Sequence, residues 1–286
     1  MVKKIIKRIL QKTLPSKAFD YLCFIVIFKR YPSSSSPLIF NEKVFLRKYN
    51  DKNFMYTKCS DKYLVREYIK DKIGEQYLVK LISCYEKVPN ITEIKSLDKF
   101  VAKSNHGAGM VEIFHSKPSD ERINYLIEKF NLWISTDYDI GSNETQYKGI
   151  EKKILIEESL CIDGKVPKDY KFHCFNQLDG SVKYVLQVVD GRFGVESRGY
   201  FLNTLDNCFF SHGAGKHNIE TEDVDALKKI IKLNEILMSD FNYVRIDWYV
   251  SNGRPYFGEL TFTPGGGLSN EFGLELETIM CKYWVK

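Results

Sequence analysis

The stretch that most limits what this chain can fold into lies near its end. Val244-Arg245-Ile246-Asp247-Trp248-Tyr249 and Tyr256-Phe257-Gly258-Glu259-Leu260-Thr261 place two acids, a cation and a hydroxyl inside otherwise apolar strands. Alternation along a strand puts Arg245 and Asp247 on one face of the first, and Glu259 and Thr261 on one face of the second. Whether those faces coincide depends on the turn. A two-residue Asn252-Gly253 turn pairs Asp247 with Gly258 and sends Glu259 to the opposite side. A three-residue Ser251-Asn252-Gly253 loop pairs Asp247 with Phe257 and Arg245 with Glu259, so that Asp247 and Glu259 share a face. Converging carboxylates need a cation between them, and hard oxygen ligands suit a Mg²⁺ shared with substrate phosphates. Separate surface charges, with Arg245 as a structural ion-pair partner, are the alternative for an isolated hairpin.

Other segments carry groups suited to such a site. Lys103 ends the strand Phe100 to Lys103, the loop Ser104-Asn105-His106-Gly107-Ala108-Gly109 follows, and Met110 to Phe114 reads as a strand. Backbone amides of a glycine-containing loop approach phosphate oxygens closely, and a lysine at its base adds a point charge. The loop lacks the GxxxxGK[ST] pattern and by itself is equally a plain turn. Lys153 opens the strand Ile154 to Leu160, whose Glu157-Glu158 either meets an adenine amino group and ribose hydroxyls or forms a solvated acidic edge. Asp169 to Asn176 and Ser181 to Asp190 read as strands, whereas Ser119 to Trp133 and Glu220 to Phe241 carry helical stripes. Asp61 reads as the N-cap of a helix stopped by Gly74, with Leu64, Val65, Tyr68 and Ile69 inward and Lys62 and Arg66 on one face. The expected class is α+β, or α/β with antiparallel sheets.

A chain of 286 residues, 44% hydrophobic and 28% charged, can bury a large core, which excludes a disordered or low-complexity protein. Its net charge of +5 is too mild to argue a nucleic-acid partner and suits an anionic small substrate. Seven scattered cysteines without CxxC or Cys/His zinc spacing read as reduced cytoplasmic thiols. Residues 1–12 form a basic amphipathic helix, which either packs on the body or docks on the inner, anionic face of a membrane. The apolar run Tyr21 to Phe28 is eight residues, short of the ~20 that span a bilayer, and neither a transmembrane span nor a signal peptide is expected. Tyr31-Pro32 with Ser33 to Ser36 marks a linker and a boundary.

The order of these features resembles the ATP-grasp superfamily in its D-alanine:D-alanine ligase-like arrangement. Asn41-Glu42-Lys43, Asp61-Lys62-Tyr63-Leu64-Val65-Arg66-Glu67, Asp169-Tyr170-Lys171-Phe172 and Phe257-Gly258-Glu259-Leu260-Thr261-Phe262-Thr263-Pro264-Gly265-Gly266-Gly267 resemble the TupA-like ATP-grasp branch of bacterial surface-polysaccharide gene clusters, over roughly residues 36–286. The resemblance implies a fold of two subdomains clasping ATP, with a helical segment at 1–35, an N-terminal region at 36–97, a small subdomain with the Gly-rich loop at 98–160, and a catalytic, metal-binding subdomain at 161–286. It implies ATP and Mg²⁺ as cofactors. Arg66 and Lys103 stand where that family keeps phosphate-binding cations, with His106 and Gly107 to Gly109 in the loop closing on the phosphates. Glu157 and Glu158 fall near the adenine and hinge, Asp169 at the ribose and Arg245 on the transferred phosphate, with Lys153 a further nucleotide-binding candidate. Asp247 and Glu259 are the implied Mg²⁺ ligands, and Thr261 takes the place of a metal-binding Asn.

The implied reaction starts with a carboxylate attacking the γ-phosphate of ATP, and an amine then converts the acyl phosphate to an amide. The implied substrates are a sugar carboxylate, such as a uronic acid on a nucleotide sugar or polymer, and an amino acid or other amine. Arg192, Arg198, Lys216, Gly265 and Gly266 are the candidates for the substrate side, with surface solubility the alternative for the three cations. A kinase acting on a sugar hydroxyl and a non-catalytic polysaccharide-binding protein are the other readings.

Overall fold

The computed structural model describes residues 13–191, 195–212 and 218–285. Two antiparallel sheets dominate it. The smaller, in the order β1-β4-β2-β3, is built from β1 (Leu81–Tyr85), β2 (Phe100–Ser104), β3 (Val111–Phe114) and β4 (Ile154–Glu158). Alternation sorts its faces. Phe100, Ala102, Phe114, Ile154 and Ile156 pack beneath the helix α6 (Asp120–Ser135), whose Leu126, Phe130 and Trp133 recur at helical spacing. Val101, Lys103 and Glu157 face the other way, into a cleft.

The larger sheet, in the order β10-β9-β5-β6-β7-β8, comprises β5 (Asp169–Asn176), β6 (Val182–Asp190), β7 (Ser197–Leu202), β8 (Cys208–His212), β9 (Tyr243–Ser251) and β10 (Arg254–Thr261). One face carries Tyr170, Phe172, Val244, Ile246 and Trp248 and is covered by α8 (Val224–Leu237) and α4 (Val65–Ile73). The other face divides along the strands. Phe175 and Tyr243 join Phe40 and Val44 of α2 (Phe40–Asn50) and Leu276 and Met280 of α9 (Gly273–Tyr283) in an apolar cluster. A few residues further along the same strands, Asp169, Lys171, Arg245 and Asp247 occupy that face beside the cleft.

The expected motif Asn41-Glu42-Lys43 joins distant parts of the chain. Asn41 donates to Glu277 and to the Ser269 carbonyl, and Lys43 donates to the Trp284 carbonyl. Glu42 accepts from Arg30 Nε and from the amides of Ser33, Leu38 and Ile39, which anchors the segment after α1 (Ser16–Phe28). Among the described residues, no helix is long and apolar enough to cross a membrane. The basic amphipathic helix expected at 1–12 lies outside them.

Several expectations need correction. The helix expected from Asp61 begins at Val65, because Asp61 caps a preceding turn by accepting from the amides of Tyr63 and Leu64. Leu64, expected inward, is 43% exposed. Strands β1, β7 and β8 and helices α2 and α9 extend the fold beyond the elements anticipated. The hairpin turn has two residues, with Asn252 at φ 52° and Gly253 at φ 68°, and Ser251 pairs with Arg254. That register alone would separate the carboxylates. A bulge at Gly258 adds one residue to β10, so Phe257 pairs with Trp248 but Glu259 pairs with Asp247.

Candidate active site

The cleft lies between the two sheets, and a crossing segment closes one side. Val79, Val101, Ile113, Leu160, Val166, Pro167 and Tyr249 line its apolar part near the segment that leads from β4 to β5. Lys62, Lys103, Lys171, Asp247, Glu259 and the Gly107–Gly109 loop line its charged part.

Arg245 organises the charged end. Its Nε and a terminal nitrogen each lie 2.7 Å from the two oxygens of Asp247. The same terminal nitrogen reaches Glu259 Oε1 at 3.1 Å and Thr261 Oγ1 at 3.0 Å. From β5, Lys171 Nζ adds 2.6 Å to Asp247 and 3.3 Å to Asp169. Burial opposes the charge on Asp247, but Arg245 and Lys171 outweigh it and hold the carboxyl at about 2. Burial also works against the Arg245 guanidinium, and its contacts with Asp247 and Glu259 more than reverse that effect. Both carboxylates are therefore anionic at neutral pH, directly across from one another. Such a pair suits Mg²⁺, which takes one or two protein carboxylates and completes its shell with water and phosphate oxygens. Among the described residues, no group of three or more His, Cys, Asp or Glu side chains gathers to hold a metal.

The bulge depends on Gly258. A Cβ there would stand 2.9 Å from the Asp247 carbonyl oxygen. Gly258→Ala is expected to cost ~1–3 kcal/mol through overpacking and to disturb the carboxylate pairing. Urea unfolding measures it, and an unchanged midpoint would contradict the close approach.

The opposite wall is tied together by Glu157, which accepts from Lys103 at 2.6 Å and Arg66 at 3.1 Å. Arg66 also donates to the Val79 carbonyl, so it braces the wall from behind. His106 is buried and points away from the cleft, with Nε2 3.1 Å from the Trp133 carbonyl and Nδ1 2.7 Å from Ser104 Oγ. Lys153 turns to Glu86 and Glu151 rather than into the cleft. Glu158 is exposed and lines the cleft, whereas Asp169 is buried beside Lys171. Gly265 and Gly266 form a left-handed turn against α2, with Gly266 beside Lys48. Arg198, on β7, pairs with Glu196 and Glu271, and through Val189 on β6 it lies two strands from Asp169. Arg192 and Lys216 lie outside the described residues.

Two cleft cations, Lys62 and Lys171, were not among the site residues expected from sequence. Lys171 carried a readable signal, since it alternates with Asp169 on β5; its partner opposite on β9 is Asp247.

Two antiparallel sheets face each other across a cleft that is apolar at one end and set with cations and paired acids at the other, the arrangement of a grasp-type fold. Residues 42–285 match the TupA-like ATPgrasp family, and the chain belongs to it. Among solved structures it is similar to D-alanine-D-alanine ligase from Helicobacter pylori, with 17% identity, a TM-score of 0.48, and coverage of 79% of this chain and 61% of that one. It is also similar to the L-amino acid ligase of Bacillus licheniformis, with 14% identity, a TM-score of 0.46, and coverage of 80% and 50%. The chain thus spans about three fifths of the first enzyme and half of the second. No curated protein matches it.

Proposed function

We propose that the chain is an ATP-dependent, ADP-forming carboxylate–amine ligase. The observation that carries this reading is the facing pair Asp247 and Glu259, held by one guanidinium and standing across the cleft from Lys103 and the Gly-rich loop. The adenine would lie among Val79, Val101 and Leu160, and the phosphates among Lys62, Lys103 and the loop amides.

A carboxylate oxygen attacks the γ-phosphorus, the bond to the bridging oxygen breaks, and ADP leaves with the electron pair. The lysines and Arg245 offset the negative charge that develops on the transferred phosphoryl group. An amine nitrogen then attacks the acyl carbon, the bond to the phosphate oxygen breaks, and amide, phosphate and a proton result. Asp247 and Glu259, with Thr261 beside them, would hold Mg²⁺, which when bound neutralises phosphate oxygens. No covalent enzyme intermediate is required, so positioning and electrostatics suffice.

For the acceptor, the family resemblance supports a sugar carboxylate, such as a uronic acid destined for a surface polysaccharide, joined to an amino acid or other amine in the cytoplasm. Incubation with Mg-ATP and a panel of UDP-uronic acids, with and without amines, tests both levels by ³¹P NMR and mass spectrometry. ADP and phosphate together with a product of uronate plus amine minus water is the expected result. A stable phosphorylated sugar formed without amine would replace the ligase reading with the kinase.

A further inference from the structure

Lys62 joins the two walls of the cleft. Its ammonium donates to the Gly107 carbonyl in the Gly-rich loop and stands 3.7 Å from Glu259 Oε2 on the larger sheet. The turn that carries Lys62 is fixed from behind. Asp61 accepts from Asn105 Nδ2 at 2.9 Å as well as from the turn amides, and the Lys62 amide donates to the Asn105 carbonyl at 3.1 Å.

The loop that Lys62 grips is also confined by a ring: a Cβ on Gly107 would come within 2.7 Å of the Tyr138 ring. Lys62 on the Gly107 carbonyl and Tyr138 beside the Gly107 Cα therefore limit how the loop can turn. Of the three donors on the ammonium, Gly107 takes one, and Glu259 is an ion pair too long for a hydrogen bond. The Lys62 ammonium can thus keep the carbonyl and also meet an incoming anion.

We propose that Lys62 is a positioning residue that couples nucleotide occupancy to the pose of the Gly-rich loop, exchanging its ion pair with Glu259 for a phosphate oxygen while retaining the Gly107 carbonyl. This rests on the cleft's being a nucleotide site. A surface lysine at this point, or one that only fixed its own turn, would have no reason to bridge both sheets.

Hydrogen exchange read by mass spectrometry over the loop segment, on the full chain with and without Mg-ADP, tests it. In the nucleotide-free protein, Lys62→Met is expected to speed loop exchange by about ten- to a hundredfold, the factor that follows from losing one charge-assisted hydrogen bond. The same variant is expected to weaken Mg-ADP binding by a similar factor in calorimetry, with exchange in β5 and β6 unchanged. Lys62→Arg, which keeps a donor for the carbonyl, is expected to restore most of the loop protection, whereas Lys58→Met on the preceding helix, Phe54–Ser60, is expected to behave as wild type. Wild-type exchange in the Lys62→Met loop would overturn the proposal, and so would loosening spread evenly over both sheets. If the wild-type chain itself binds no Mg-ADP, the nucleotide reading falls, and with it the coupling; the loop exchange of the nucleotide-free variant still reports on the clamp alone.

Discussion

Glu259→Gln is expected to lower kcat/KM for ADP release by at least about a hundredfold, in the range seen when one preorganised electrostatic partner is removed from a reacting centre. The substitution keeps the shape of the side chain and removes its charge. Arg245 retains Asp247 and Thr261, so the network loses one arm and does not collapse. Glu259 keeps 31% of its side chain accessible, which lets a neutral amide sit there without orphaning a buried group. The loss is therefore expected in turnover and in the Mg²⁺ concentration needed for half-maximal rate, with little change in thermal midpoint. A Gln variant that turns over like wild type at low Mg²⁺ would remove Glu259 from the metal assignment. Asp247→Asn is a different experiment, because Asp247 is buried under two cations and its neutral form leaves Arg245 and Lys171 without their common anion.

The hairpin shows how much of this site could be read from residue order. Alternation put Arg245 with Asp247 and Glu259 with Thr261, and the structure keeps both pairings of face. The register could not be counted from the turn: the shorter turn moves the pairing by one residue and the bulge at Gly258 moves it by one more in the same direction, which restores the shared face but pairs Asp247 with Glu259 where the three-residue loop would pair it with Phe257. The signal was a glycine inside a strand, which marks a bulge or a close backbone approach. Helix α2 was illegible for a different reason. Asn41, Glu42, Arg47 and Lys48 are all buried, so the polar residues that should mark its solvent face point inward to partners distant in sequence. Lys62 was read as a helix-face cation, but it sits in the turn before the helix, and its partners, Gly107 and Glu259, are brought to it only by the packing of both sheets.

One face of the larger sheet serves both as scaffold and as site, and His173 marks the boundary. It follows Lys171 on β5 and meets the Tyr243 hydroxyl at 2.9 Å, two residues before Arg245 on the paired strand. Burial holds the imidazole neutral, reinforced by Arg245. The apolar cluster thus ends against an uncharged polar pair before the charged cleft begins.

Phe40→Ala tests the scaffold half of that face. Phe40 is fully buried, with ring centroids 5.2 Å from Tyr243, 5.7 Å from both His173 and Phe272, and 6.0 Å from Trp284. It joins α2 to the sheet and to α9 at one point, and rings on several sides leave little room for collapse. The expected cost is ~3–5 kcal/mol, equivalent to a drop of roughly 10 °C in thermal midpoint for a chain of this size. Phe40→Leu refills part of the volume and is expected to cost distinctly less. Urea unfolding followed by intrinsic fluorescence gives both values, and a cost below about 1 kcal/mol for the alanine variant would mean that the cluster repacks and does not hold α2 in place. Nucleotide affinity separates the two halves of the face. With His173 and Tyr243 still bonded, Phe40→Ala is expected to bind Mg-ADP as wild type does at temperatures where it remains folded, whereas a parallel loss of affinity would show that the cations of the cleft depend on the aromatic packing behind them.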